Sequence, residues 1–417
     1  MKKDLKLNRP PLGFHTGDRY RTVSEADILE MCHLAGWACE RGEGSPGKAL
    51  TRQAFENWIA MGMGVRRDAD GARYFDPGEV LNFIKQAGLN GSDAFWTERM
   101  VGTARRLVLD LHNENPRKFA VELRRTFNTQ SLPAGAALRL RMPLPLTSEH
   151  LGNLEVNPSA VAAGARIAVS RGRLEVRTQA PSAGEVTIGA TVTFTARPQE
   201  PSRERSQSSL RPADSLYLRS RDGLIVVSDR VAALANALVG PGADLLVTLR
   251  VFWNYCLDEF SQGAIHYDQV DLEAPGDWLL DSGWGDCQLV AALFASMCRA
   301  RGIPARLLGG FYLYRACPTN HYWAEAWIDG QGWTPFDFVC WELSGGGRDP
   351  AWRDYFFGRI DCRLTNQCLP LDFTGAVGVT IPPAWHIVQS AKPDGVAIGL
   401  LDVAGTPLYS DFVSVVG

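Results

Sequence analysis

The spacing of apolar residues changes near residue 117, and this change limits the folds open to the chain. Before it, stretches such as TVSEADILEMCHLAGW and LTRQAFENWIAMG carry apolar residues with the roughly 3.6-residue period of one helix face. After it, Phe119, Val121 and Leu123 alternate with polar or small residues, as in strands with one buried face. The sequence predicts a helical N-terminal domain over residues 1–116 and an antiparallel β-sandwich over 117–197.

Three further regions follow the predicted sandwich. Residues 198–215 are polar and rich in Pro and Ser, which is typical of a linker. Residues 216–370 mix helix-like stretches such as SDRVAALANALVG with strand-like ones such as ARLLGGFYLY, and they predict an α+β domain. Residues 371–417 predict a β extension at the C-terminal end of that domain. The expected fold class is therefore α+β multidomain.

Charge and cysteine content exclude several classes of function. The net charge of −3 gives no bulk attraction to nucleic acid or to an anionic membrane, so neither is expected as a partner. Lys2 and Lys3 precede no apolar run, and no stretch approaches the roughly 20 apolar residues of a membrane span. Nine cysteines without a CxxC pair favour reduced thiols, so we expect a cytoplasmic protein with no metal site and no cofactor.

The stretch GWGDCQLVAALFASMCRARGIPARLLGG places Cys287 in the first turn of an amphipathic helix. Asp286 suits the N-cap, and apolar residues at helical spacing, among them Leu289, Leu293 and Met297, predict one buried face. A helix N-terminus stabilises a thiolate and lowers a thiol's pKa, which would make Cys287 a nucleophile. The alternative is that Cys287 is a small, half-buried apolar residue.

A thiol nucleophile needs a partner for proton transfer, and one histidine has the right setting. His321 begins HYWAEAWIDGQGWTPFDF, which alternates like a strand, and Asp337 follows sixteen residues later. Two antiparallel strands joined by the turn DGQGW would place His321 beside Asp337. Considered alone, His321 could be a structural histidine and Asp337 a turn or surface carboxylate.

Taken together, GWGDCQLVAALFASMCRARGIPAR, HYWAEAW and GWTPFDF resemble the transglutaminase-like superfamily of papain-like Cys–His–Asp enzymes, in its bacterial form. The resemblance implies a papain-like transglutaminase core over residues 216–370. It also implies that Cys287 is the nucleophile, His321 the general acid and base, and Asp337 the partner that orients it. Trp323 matches a supporting strand position, as does Glu325.

An oxyanion needs hydrogen-bond donors, and the backbone N–H of Cys287 is one natural donor. The resemblance implies a second donor from a side chain upstream of the cysteine. There VFWNYCLDEF offers Trp253, Asn254 and Tyr255, of which we favour Trp253. A buried core aromatic is the alternative reading of that tryptophan.

The resemblance implies thiol-dependent acyl transfer on an amide or thioester through an acyl-enzyme. The acceptor is left open: water would make the protein a cysteine protease or amidase, and an amine would make it an amide-forming acyltransferase, for example in natural-product assembly. The expected partners are peptides, proteins or carrier-protein-bound acyl groups. The alternative is a catalytically inactive transglutaminase-like binding or scaffold module, against which stands the presence of all three triad residue types.

Overall fold

The computed structural model describes most of the chain from residue 117 to 338 and shorter segments on either side. The described residues are 23–29, 39–40, 48–49, 52–75, 80, 83, 117–129, 133–147, 151–160, 164–170, 172–182, 184–196, 214–262, 265, 270–313, 319–338, 350–359, 363–368, 373–374, 380–381, 387–392, 395–401 and 407–416. No helix among these residues combines the length and the apolar character needed to cross a bilayer.

The described part of the N-terminal region combines a helix with short strands. They are β1 (Val23–Ser24), β2 (Cys39–Glu40), β3 (Lys48–Ala49), α1 (Arg52–Ala60), β4 (Arg66–Arg67) and β5 (Arg73–Phe75). The helix predicted from LTRQAFENWIAMG is present as α1, and it buries Phe55 and Trp58. The sheet β1-β5-β4 was not predicted; its strands are too short to show an alternating pattern. Residues 84–116 of the predicted helical domain lie outside the described residues.

The region after residue 117 forms two antiparallel sheets that share one core. Their strands are β6 (Arg117–Asn128), β7 (Ala137–Pro143), β8 (Leu151–Ala160), β9 (Arg166–Ser170), β10 (Arg173–Gln179) and β11 (Glu185–Ala196). One sheet has the order β7-β10-β9, and β6, β11 and β8 are neighbours in the other. The alternating residues Phe119, Val121 and Leu123 are buried between the sheets, as the period of two requires. The predicted sandwich is therefore present.

The last three described strands belong to the larger sheet of the sandwich, whereas the sequence assigned residues 371–417 to an extension of the α+β domain. The C-terminal strands are β20 (Phe373–Thr374), β21 (Thr380–Ile381), β22 (Ile387–Lys392), β23 (Gly395–Leu401) and β24 (Pro407–Val415). β24 pairs with β6, so the larger sheet has the order β22-β23-β24-β6-β11-β8. The free edge of β6 offers unpaired backbone groups to a strand distant in sequence, and periodicity does not reveal such a pairing.

The α+β domain follows at residue 214; residues 197–213, most of the predicted linker, lie outside the described residues. Its helices are α2 (Asp214–Tyr217), α3 (Asp229–Leu238), α4 (Leu245–Glu259), α5 (Pro275–Ser282), α6 (Cys287–Ala300) and α7 (Pro350–Phe356). Its strands are β12 (Arg221–Asp222), β13 (Ile225–Val226), β14 (Ser261–Gln262), β15 (Trp284–Gly285), β16 (Ala305–Tyr312), β17 (Thr319–Ile328), β18 (Gly332–Phe336) and β19 (Arg363–Cys368).

The central sheet of this domain is antiparallel with the order β18-β17-β16-β19, and α6 packs against β16 and β17. Small residues on one face of β17, Ala324 and Ala326, belong to the core that contains α6. Because successive strand residues point to opposite faces, His321, Trp323 and Glu325 lie on the other face. The alternation in HYWAEAW therefore separates a packing face from a polar face, both of them buried.

The sandwich and the central sheet meet at β19. Leu146, just after β7, donates its backbone N–H to the carbonyl of Thr365 at 2.8 Å. Phe311 and Leu364 of the central sheet are buried in the core of the sandwich. Gly310 permits a close approach of β16 to β19, because a Cβ at this position would lie 2.0 Å from the carbonyl oxygen of Leu364. The sandwich thus holds the edge strand of the α+β domain.

Candidate active site

Cys287 is held at the start of α6 by local geometry. Asp286 caps the helix, and its Oδ1 accepts a hydrogen bond from the backbone N–H of Leu289 at 2.9 Å. Gly285 allows the preceding turn to lie close to α5, since a Cβ there would meet Leu279 Cδ1 at 2.8 Å. The remainder of α6 is buried, whereas Cys287 is partly exposed. A rigid helix therefore presents a thiol at its N-terminal end.

The electrostatic setting of this thiol differs from the prediction. Burial raises the pKa of Cys287 well above its usual range, and the negative charges of Asp286 and Asp337 raise it further. Backbone hydrogen bonds from Tyr322 and Gln288 act in the opposite direction and lower the pKa. The helix start was expected to make Cys287 a thiolate. In the resting site, loss of hydration outweighs the stabilisation by backbone N–H groups, and the thiol keeps its proton.

His321 and Asp337 lie side by side, as the strand–turn–strand interpretation requires. His321 Nε2 lies 2.6 Å from Asp337 Oδ2, and both side chains are almost completely buried. A carboxylate only accepts hydrogen bonds, so Nε2 carries the proton and Nδ1 carries the lone pair. Burial lowers the pKa of His321, while the charge and hydrogen bond of Asp337 raise it and the charge of Arg363 lowers it. The resting imidazole is neutral and has a defined tautomer.

The start of α6 meets the strand of His321 next to that histidine. β18 pairs with β17 from Ala324 to Ile328, so His321 and Tyr322 extend beyond the end of β18. The backbone of Tyr322, the residue after His321, forms a hydrogen bond that acts on the Cys287 sulfur. The charge of Asp337 also acts on this sulfur. Asp337 thus contacts His321 and lies close enough to Cys287 for its charge to act on the thiol.

Arg363 belongs to this cluster, although the sequence assigned it no role. Its Nη2 lies 2.5 Å from Asp337 Oδ2, and both side chains are about 1% exposed. Its guanidinium lies 5.6 Å from the centre of the Trp323 ring. Arg363 follows Asp337 by 26 residues, and no local pattern in the sequence shows that the arginine returns to that carboxylate.

Trp323 supports the histidine directly. Its ring is nearly parallel to the His321 ring, at 19° and 6.2 Å between centroids, and it is fully buried. Further along the same face, Glu325 forms an ion pair with Arg306, with 2.6 Å between Oε2 and Nη2. The arginine in turn lies over the Trp333 ring at 4.1 Å. A row of buried and half-buried aromatic and charged side chains thus extends from the histidine along β17.

Trp253, predicted as the second oxyanion donor, is placed in an aromatic core. Its ring lies 5.3 Å from Phe338 and 6.2 Å from Phe336. The residue is fully buried, and its indole Nε1 has no hydrogen-bond partner among the described residues. The neighbouring Asn254 also has a buried side-chain oxygen without a partner there. Packing accounts for the position of Trp253, and its role as an oxyanion donor stays a prediction.

The other described thiols have different surroundings. Cys256 and Cys298 are buried in the core around α6, where burial raises the pKa of each. Burial likewise raises the pKa of Cys368 to about 11. Within the described ranges, no three His, Cys, Asp or Glu side chains cluster as metal ligands would.

Comparison with known proteins finds a family model that matches the middle of the chain. Residues 232–338 match the profile of the transglutaminase-like superfamily, and this match includes Cys287, His321 and Asp337. No curated protein matches the chain. Residues 232–338 therefore form a transglutaminase-like domain within a mixed α and β architecture.

Solved structures with detectable likeness are distant. A candidate cysteine protease from Cytophaga hutchinsonii is 18% identical, with 72% of this chain and 98% of that chain covered and a TM-score of 0.42. The periplasmic domain of TgpA from Pseudomonas aeruginosa is 18% identical, with 60% of this chain and 94% of that chain covered and a TM-score of 0.30. With TM-scores this low, neither likeness supports a conclusion about the activity or location of this chain.

Proposed function

We propose that this protein is a thiol enzyme that transfers acyl groups from an amide or thioester through an acyl-enzyme. In this proposal Cys287 is the nucleophile, His321 the general base and then the general acid, and Asp337 the group that orients His321. The observation that carries the proposal is the buried 2.6 Å contact between His321 Nε2 and Asp337 Oδ2, which holds the imidazole in a defined orientation.

The first half of the reaction forms the acyl-enzyme. His321 Nδ1 accepts the Cys287 proton as the sulfur attacks the substrate carbonyl, so the resting thiol is activated only when substrate is present. The oxyanion that develops needs fixed donors, and the backbone N–H of Cys287 is one of them. As the tetrahedral intermediate collapses, the imidazolium returns its proton to the departing amine or thiol. A thioester on Cys287 remains.

The second half of the reaction resolves this thioester. Neutral His321 accepts a proton from the incoming nucleophile, and the sulfur leaves with that proton at the end of the step. Water as the nucleophile gives a protease or amidase, and a primary amine gives an amide-forming acyltransferase. Peptides, proteins and carrier-bound acyl groups are the substrates compatible with either course.

A second candidate is a binding or scaffold module without catalytic activity. The raised pKa of Cys287 favours it, because a thiol that holds its proton does not react by itself. Against it stands the buried His321–Asp337 contact, which costs hydration of two polar groups and has a chemical use in acyl transfer.

The test is acylation of Cys287 by p-nitrophenyl acetate, read by p-nitrophenolate release and by peptide mass spectrometry. We expect acetylation at Cys287, its loss in Cys287→Ala, and a rate at least about 10³-fold lower in His321→Ala. Cys298→Ala is the matched control, since Cys298 lies on the same helix but is buried in the core. A second series with added methylamine separates hydrolysis from amide formation. Absence of acetylation at Cys287 in the wild-type protein would favour the binding module.

A further inference from the structure

We propose that Arg363 is a positioning residue of this site: it fixes the Asp337 carboxylate against His321 and keeps the imidazole unprotonated at rest. This inference rests on the proposed function and assigns a role to a residue outside the Cys–His–Asp set. Two donors, His321 Nε2 at 2.6 Å and Arg363 Nη2 at 2.5 Å, approach the same Asp337 oxygen. The arginine therefore determines how much of the carboxylate's charge the imidazole receives.

Arg363 cannot be replaced by solvent in this role. Its side chain and that of Asp337 are about 1% exposed, so the carboxylate is shielded from bulk water. A buried carboxylate whose only neighbour is a neutral imidazole would tend to protonate or to draw a proton onto that imidazole. The guanidinium supplies a permanent positive charge, since it does not lose its proton in proteins. Asp337 therefore stays ionised without charging His321.

The position of Arg363 is itself fixed by the tertiary structure. Its guanidinium lies over the Trp323 ring, which stacks on His321, so the arginine and the histidine lie on the same tryptophan. Arg363 begins β19, and this strand accepts the hydrogen bond from Leu146 of the sandwich at Thr365. The strand that carries Arg363 is thus hydrogen-bonded to the sandwich.

The charges around His321 agree with this assignment. Asp337 follows β18 and raises the pKa of His321, whereas Arg363 of β19 lowers it. The negative charges of Asp286 and Asp337 act on the Cys287 thiol at the start of α6. Arg363 is thus the permanent cation that opposes a second positive charge on the imidazole.

The experiment is a pH titration of His321 by long-range ¹H–¹⁵N NMR in the full chain labelled at histidine. The chain has seven histidines, and His321→Gln assigns the resonance. In Arg363→Gln we expect the His321 pKa to rise by about one unit or more, because a nearby positive charge has been removed. Arg363→Lys keeps the charge and should restore the wild-type pKa. Arg306→Gln is the matched control: it removes an arginine from another ion pair of the same sheet and should leave the pKa unchanged.

Each outcome has a defined meaning. An unchanged His321 pKa in folded Arg363→Gln, or an equal shift in Arg306→Gln, would overturn the proposal. If Arg363→Gln does not fold, the same titration in Arg363→Met decides by the same criterion, because methionine removes the charge but keeps an unbranched side chain: a raised His321 pKa supports the proposal, and an unchanged one overturns it. The titration does not require turnover. A raised His321 pKa in Arg363→Gln without acylation of Cys287 would support the positioning role of Arg363 and count against the proposed function. Acylation of Cys287 with an unchanged His321 pKa would support the proposed function and count against that role.

Discussion

The polar face of β17 runs from His321 to Glu325, and a buried carboxylate meets an arginine of another strand at each end of that face. The two carboxylates differ in what else they contact. At one end Glu325 meets Arg306, with 2.6 Å between the charged groups. At the other end Asp337 meets Arg363 and also His321. Neither arginine titrates in the ordinary pH range, so the first pair has a fixed charge. The second group includes the His321 imidazole, so its net charge depends on whether that imidazole is protonated.

This difference shows how a structural motif becomes a chemical site. Burial makes the charge–charge interaction strong at both ends of the strand. Only at the His321 end does that interaction act on an imidazole, the side chain whose unperturbed pKa lies nearest neutrality, and on a thiol. Removing the carboxylate should therefore lower stability by a similar amount at both ends, but it should lower activity only at the His321 end.

The largest expected effect is on acyl transfer. Asp337→Asn removes the charge that orients His321, and we expect kcat to fall by about 10³- to 10⁴-fold. Glu325→Gln leaves an arginine without its carboxylate in the same sheet, and kcat should stay within about threefold of wild type because it touches no group of the site. Each variant should lose roughly 3–5 kcal/mol of unfolding free energy through its broken buried pair. Steady-state kinetics and urea unfolding measure both quantities, and equal losses of kcat would remove the distinction between the two ends.

The second prediction concerns the resting proton of Cys287. Because burial raises the pKa of this thiol, iodoacetamide labelling should be slow at neutral pH and rise about tenfold per pH unit up to and beyond pH 9. Peptide mass spectrometry follows the labelling, and Cys298, which is fully buried, serves as the unreactive control. A rate that is already high and constant from pH 6 would mean that Cys287 and His321 rest as a thiolate–imidazolium pair.

The third prediction tests the close packing beside His321. Gly310 is opposite His321 on β16, and an alanine Cβ there would overlap the carbonyl of Leu364. Gly310→Ala should therefore cost about 3 kcal/mol, because β16 and β19 must separate. Gly240→Ala is the control, since its Cβ would meet no atom within 4 Å, and it should change stability by less than about 0.5 kcal/mol. Equal Tm values for the two variants would show that the strands adjust without cost.

The smallest expected effect is on the pH dependence of stability. The folded pKa of His321 lies below the unfolded value, so between these two pKa values the unfolded state binds more protons. Stability should fall as pH falls below about 6.5, by at most about 1.4 kcal/mol per pH unit, until the folded pKa is reached. Urea unfolding from pH 7.5 to 5 measures this slope, and His321→Gln should flatten it. A slope unaffected by that substitution would assign the acid sensitivity to other groups.

Much of the architecture was predictable because the spacing of apolar residues within a short stretch indicates which side chains are buried. The alternation of Phe119, Val121 and Leu123 identified sandwich strands, and these residues are buried. The pattern HYWAEAW identified β17 and located His321 on a strand. The pairing of β24 with β6 was not predictable, because any strand with a suitable pattern could occupy that edge.

The candidate site divides in the same way. Residue types and spacing were enough to select Cys287, His321 and Asp337 as one candidate set, because a capped helix and a strand–turn–strand unit are local structures. The protonation states were not predictable from sequence, because desolvation depends on every atom packed around a group. The helix start alone suggested a thiolate at Cys287, and burial reverses that.

The sequence by itself determined the strands and helices of the transglutaminase-like domain, the cap that begins α6 and the three chemically active residue types. Only the tertiary structure decided that Arg363 returns to Asp337 across the sheet, that the sandwich holds the strand carrying it, and that the resting thiol and imidazole are both neutral. The physical reason is that periodicity and capping depend on neighbours within a few turns of the chain. Buried electrostatics instead depends on distances between segments far apart in sequence and on the water that packing excludes.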